Sequence, residues 1–167
     1  MSAGSLQIAR TDDLAAVRRL GVACGLDDSG RGDDHVEAAW GAFVGERLVG
    51  AIVLERLQEL ETVNWMSVED SHRRRGIAGR LYAALESEAL ARGVTRLWVT
   101  ARAPAFFLAR GYAAAAEGSE RDALLGECPR CVQFGHGCEP QALTKGIDDT
   151  GPPDGPRSEG ETWRDRD

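Results

Sequence analysis

"HRRRGIAGRLYAALE", residues 72–86, sets three consecutive arginines directly before an amphipathic run. Ile77, Leu81, Leu85 and Ala89 recur every fourth residue, which predicts a helix with one apolar face, and Gly93 after Arg92 is a natural C-terminal stop. The first turn of a helix carries N–H groups with no intrahelical partner, and its dipole favours an anion there. Gly76, Ala78 and Gly79 are small enough for a phosphate to reach the main chain, and arginine forks add charge-assisted bonds. The stretch therefore reads as a pyrophosphate cradle or as a solvated, arginine-rich loop. It has neither a Walker lysine nor G-x-G-x-x-G spacing.

Working outward, "LETVNWMSV" (60–68) predicts the strand that feeds this turn. Its alternation puts Glu61, Val63 and Trp65 on one face and Thr62, Asn64 and Met66 on the other. Upstream, "AAWGAFVG" and "RLVGAIVLE" flank Glu46 as a hairpin. "LQIAR" (6–10) is a first strand, followed by a helix that Asp12 or Thr11 can cap and Gly25 can end. Residues 27–35 read as a polar loop. Downstream come a strand at "TRLWVTA" (95–101), a short helix from Pro104 to Arg110 closed by Gly111, a weak strand in "YAAAAEG" and a last one in "QALTK" (141–145). This order predicts an α/β (α+β) domain around a mixed sheet. Residues 1–146 are expected to form it. From Ile147 on the chain is Gly/Pro-rich, with seven acids against three arginines, and is expected to be a disordered tail.

Composition narrows the function. Of 167 residues 43% are hydrophobic, and no apolar run approaches the roughly 18 residues that cross a bilayer. "MSAGSLQIARTDD" lacks the layout of a secretion signal, so a soluble, cytoplasmic protein is expected. The net charge of −7 argues against a nucleic-acid partner. Lys145 is the only lysine, so the basic charge is nearly all arginine, whose fork suits phosphate.

"SVEDSHRRRGIAGRLYAALE" resembles the signature of the GNAT acetyltransferase superfamily, Arg/Gln-x-x-Gly-x-Gly/Ala, with Arg73, Gly76 and Ala78 at the signature positions. "APAFFLARGY" (103–112) is similar to a later family helix that ends in Gly-aromatic. The resemblance covers residues 6 to 145. It implies a mostly antiparallel central sheet splayed between the fourth and fifth strands, with acetyl-CoA as donor. The pyrophosphate would meet the turn at Arg73, Arg74, Arg75, Gly76, Ile77, Ala78 and Gly79. The pantetheine arm would lie along Met66, Ser67 and Val68, and Phe107 falls where many members carry a tyrosine acid. "APAFFLARGY…ALLGECPRCVQFGHGCEPQALTK" further resembles short members related to N-acetylglutamate synthases and, more distantly, arsinothricin N-acetyltransferases. Such relatives tend to have Glu-x-Arg-Ser-Leu-Ala-Val on the fourth strand; here Thr62 stands at the glutamate and Asn64 at the arginine.

Acyl transfer needs a neutral amine beside the thioester and a donor for the oxyanion. Asn64 and Glu61 are the catalytic candidates, with Glu55 and His35 as weaker bases and Tyr82 or Tyr112 as acids in place of Phe107. His72 is expected to help order the turn, and Arg102 to bring charge from across the cleft. Cys128, Cys131, His136 and Cys138 offer four ligands within 11 residues and make zinc a candidate; packed loop thiols or a redox pair are the other readings. The expected function is acetyl transfer to a small, amino-acid-like amine by a monomer or homodimer. The alternative is a non-catalytic module that senses acetyl-CoA, or a metal or thiol redox state.

Overall fold

The computed structural model describes residues 4–26, 34–126 and 140–147. Seven strands form one sheet in the order β1-β2-β3-β4-β5-β7-β6. They are β1 Leu6–Arg10, β2 Val36–Val44, β3 Arg47–Leu57, β4 Leu60–Val68, β5 Arg96–Ala101, β6 Ala113–Ala114 and β7 Gln141–Gly146. Every neighbouring pair is antiparallel except β4 with β5. The helices are α1 Leu14–Ala23, α2 Ile77–Ala91, α3 Ala105–Leu108 and α4 Ser119–Leu125. The expected α/β architecture and its splayed sheet are present.

Inward-facing residues of both sheet faces make the core. On one face, Trp40, Ile52, Leu54, Val63, Leu97 and Val99 pack against Ile77, Leu81 and Leu85 of α2. On the other, Ala39, Ala51 and Val53 pack against Val17 and Leu20 of α1. Gly50 brings α2 close to the sheet: a Cβ there would stand 3.2 Å from both Ile77 and Leu81. α4 covers the α1 side of the sheet farther along, with Leu124 against Ala142 and Trp98.

Several boundaries differ from the sequence reading. Asp13 caps α1 by accepting from the Ala16 N–H at 3.0 Å, while Thr11 accepts from the Asp13 N–H, so the cap lies one residue past the expected pair. Ile147 is 6% exposed and donates its N–H to Thr95, so the packed chain runs one residue beyond the expected boundary at 146. α4 was not foreseen. Its acids Glu120 and Asp122 stand in the first turn, where the dipole favours them. The rest of the expected tail lies outside the described residues.

The largest departure is in β4. Ala51 pairs with Ser67 but Val53 pairs with Asn64, so Trp65 and Met66 together oppose Ile52 as a β-bulge. Trp65 has φ +51°, a strained value for a bulky side chain. The extra residue changes the phase of the strand. Val63 and Met66 face α2, whereas Trp65 packs on the α1 side. The sequence reading grouped Trp65 with Val63 and Met66 with Asn64, and the bulge reverses both. Gly21 makes room for the ring, since a Cβ there would come within 2.5 Å of it.

Candidate active site

The basic turn lies where β4 gives way to α2. A 3₁₀ turn, Asp70–His72, leads into it, and Ser71 and Glu69 both contact the His72 ring, which thus helps order the turn as expected. Arg74 (φ +64°) and Gly76 (φ +76°) both adopt left-handed conformations. Such reversals turn successive N–H groups to one side and make an anion-binding concavity. Gly76 takes the N-cap position of α2, and no side chain caps the helix. The first-turn N–H groups of a 15-residue helix are thus left to an external acceptor. A Cβ at Gly76 would meet nothing within 4 Å, so the approach is open.

The three arginines divide their work. Arg73 folds back: its Nε donates to the Val68 carbonyl at 3.0 Å and its Nη1 pairs with Asp70. Arg74 and Arg75 are exposed and form no ion pair among the described residues. The sequence reading missed Arg110. Its guanidinium lies 3.7 Å over the Phe106 ring, and its Nη2 would be 2.8 Å from a Cβ at Gly79. A cation thus sits against the first turn of α2 at Gly79. The arginine two places before Tyr112 was the available signal.

Beside the turn the sheet opens. β4 and β5 pair only at Thr62 with Trp98 and Val63 with Val99. From Asn64 to Val68, β4 has no partner on β5 among the described residues. Met66, Ser67 and Val68 form the stretch of β4 without a β5 partner, between the bulge and the basic turn. Cys24 donates its thiol to the same Val68 carbonyl at 3.6 Å, and partial burial pushes that thiol's pKa up.

Asn64 lies on the α1 side of the fork, opposite Val53 and two rungs from Glu55, so the two side chains share one face. Its Nδ2 donates to Glu55 Oε1 at 2.7 Å and its Oδ1 accepts from the Trp65 N–H at 2.8 Å. Glu55 is 3% exposed and Asn64 half-buried, so the fourth-strand asparagine is tied to a buried third-strand carboxylate. Alternation along β3 puts Glu55 in step with Val53, on the α1 side. Arg102 reaches the Gly25 carbonyl and ties the end of β5 to the end of α1. His35 precedes β2, its carbonyl accepting from the Arg56 N–H.

Glu61 is not brought to this site. The bulge begins beyond it, so it keeps the opposite face from Asn64, roughly 20 Å along β4 from the turn. There Arg56 bonds it through Nε and Nη2 at 3.1 and 2.7 Å. The same guanidinium lies 3.6 Å from Glu37 on β2. One carboxylate oxygen of each acid, Oε2, is buried without a donor, the arrangement of two acids sharing a proton. That shared hydrogen bond, aided by burial and the charge of Glu61 against Arg56 and Arg92, pushes Glu37 up to about 7. The folded state then holds a proton that an unfolded glutamate releases near 4.5, so stability falls as pH rises from about 4.5 to 7 and is level above. Urea midpoints are expected to decline from pH 5 to pH 8 in the wild type. In Glu37→Gln, whose amide donates at every pH, this part of the decline should vanish; an unchanged pH profile counts against the shared proton.

Phe107, expected beside the cofactor, lies in the core. It is 4% exposed and packs edge-to-face with Tyr112 and Phe106 inside the core. Tyr82 and Tyr112 are equally buried, their hydroxyls 2.9 Å apart, and burial pushes both pKa values well above the usual tyrosine range. Neither is presented to the fork as an acid. Cys128, Cys131, His136 and Cys138 lie outside the described residues. Among the described residues no group of three or more His, Cys, Asp or Glu side chains could hold a metal ion, and no helix is long and apolar enough to cross a membrane.

Known folds share this architecture. N-acetylglutamate synthase from Neisseria gonorrhoeae, complexed with coenzyme A and N-acetyl-glutamate, matches with a TM-score of 0.62 at 16% identity over 87% of this chain. The chain spans only 36% of that synthase's length. A GNAT-family acetyltransferase from Staphylococcus aureus Mu50 gives 0.65 at 12% identity over 86% of this chain and 100% of the other. The ribosomal-protein-S18-alanine N-acetyltransferase of Escherichia coli gives 0.62 at 15% identity over 90% and 99%. Among curated proteins none matches the chain in sequence. The profile described as "Acetyltransferase (GNAT) family" matches residues 11–112, more than half of the chain, and with the uncapped helix, basic turn and forked sheet in place, the chain belongs to that family.

Proposed function

We propose that the protein transfers an acetyl group from acetyl-CoA to the primary amine of a small, amino-acid-like molecule. One observation carries the reading: the uncapped start of α2, preceded by left-handed Arg74 and Gly76, adjoins an open β4 edge. The first-turn amides of Ile77, Ala78 and Gly79 would hold the diphosphate, with Arg74, Arg75 and Arg110 adding charge. Arg73 would act through the turn it braces. Met66, Ser67 and Val68 would bind the pantetheine arm as an added strand. When bound, acetyl-CoA would supply the thioester, and a main-chain N–H near Met66–Val68 would serve its oxyanion. An α-amino group, with a pKa of about 7.7–8.0, is partly neutral at cell pH and needs little help from a base. The chain's acidity fits a small cationic acceptor better than a nucleic acid.

A second reading, an acetyl-CoA-binding module without turnover, is favoured by the burial of Phe107 and the locked Tyr82–Tyr112 pair, which leave no tyrosine acid at the fork. Calorimetry with CoA, then CoA release against a panel of amino acids, polyamines and aminoglycosides, separates the two. Binding with turnover supports the enzyme; binding without turnover above hydrolysis supports the module; no binding in folded protein sinks both. Zinc at Cys128, Cys131, His136 and Cys138 rests on spacing alone and is tested by counting metal and free thiols in purified protein.

A further inference from the structure

We infer that Glu55 and Asn64 are a positioning pair for the acyl-donor edge of β4, acting through the bulge and not on the amine. The inference rests on the acetyl-CoA reading above. A bulky residue at positive φ is disfavoured, so Trp65 needs something to hold it there. Asn64 Oδ1 does so by accepting from the Trp65 N–H. An asparagine amide turns freely unless its other end is fixed, and here Glu55 Oε1 fixes it at 2.7 Å. The amide orientation follows from its partners, since a reversed one would set N–H against N–H and oxygen against carboxylate. The Glu55 main chain is held in turn by its rung partner, its carbonyl accepting from Thr62 Oγ1 at 3.0 Å. Both polar atoms of Asn64 are thus engaged within the protein. What they support is the extra residue opposite Ile52, which sets the course of Met66, Ser67 and Val68 away from β5. An asparagine in place of the arginine of its relatives therefore acts as a brace for the main chain, and Glu55 is its anchor.

A donor–acceptor exchange tests this. Asn64→Asp sets two carboxylates against each other, and Asn64→Asp with Glu55→Gln restores one N–H···O bond in the reverse direction. Affinity is read by calorimetry for CoA and for adenosine 3′-phosphate 5′-diphosphate, the half of CoA that lacks pantetheine. Asn64→Asp is expected to weaken CoA about tenfold or more while binding the nucleotide half unchanged, and the double variant to recover CoA to within about threefold of wild type. If Asn64→Asp does not fold, the double variant decides alone. CoA binding unaltered in Asn64→Asp overturns the inference. So does a double variant that stays weak or does not fold, or an equal loss for CoA and its nucleotide half. If the wild type binds neither ligand, the acetyl-CoA reading falls first and this inference with it.

Discussion

Leu81→Ala is expected to lower the free energy of unfolding by about 3–5 kcal/mol. The side chain is fully buried between α2 and the sheet, in one cluster with Ile52, Val68 and Ile77. Truncation removes its transfer energy and leaves a hole. The sheet cannot fill that hole at its nearest point, because Gly50 has no side chain to move into it. A domain of this kind has about 5–15 kcal/mol of total stability, so the loss is a large share. Urea titration should show a lower midpoint with an unchanged slope. A loss below about 1 kcal/mol would mean that α2 resettles onto Gly50, and the close fit described here would be wrong.

The second large effect concerns ligand affinity. Arg74→Glu with Arg75→Glu should weaken CoA binding about a hundredfold or more, by removing two charge-assisted contacts and setting like charge against the diphosphate. Both side chains are exposed, so the free energy of unfolding should stay within about 0.5 kcal/mol of wild type. Arg73→Ala should behave differently, because Arg73 braces the Val68 carbonyl and Asp70; there a loss of stability should accompany any loss of affinity. Calorimetry and urea melts on the same preparations separate the cases. Affinity unchanged by the double reversal would assign the diphosphate to main-chain amides alone.

Much of this was legible from residues with local causes. The four-residue recurrence from Ile77 to Ala89 set α2, and Gly25 and Gly93 marked helix ends where φ is indeed positive, +97° and +82°. The hairpin about Glu46 and the strand at 60–68 follow from turn chemistry and β-propensity. The bulge was not legible, because nothing in "TVNWM" requires an extra residue. It depends on Gly21 yielding space to Trp65 and on Glu55 anchoring Asn64, partners 44 and 9 positions away. Glu61 was misplaced for a related reason: alternation gave its side correctly, but only its partners Arg56 and Glu37 show that this side is an ionic cluster remote from the turn. Arg110 needed Gly79 to be read as a contact as well as a small residue in a loop. Phe107 followed a family pattern whose usual polar group is missing here, and its ring has gone into the core.

The place of the fork within the sheet has a bearing on solubility. Unsatisfied strand amides along an outer margin would invite pairing with any extended chain, which is how β-proteins come to aggregate. Here the outermost strands are short, five residues in β1 and two in β6, and offer little template. The hungry amides are kept indoors, between two strands that close together at one end. Such a slot offers its main chain to an extended guest lying between β4 and β5 and not along an outer margin of the sheet.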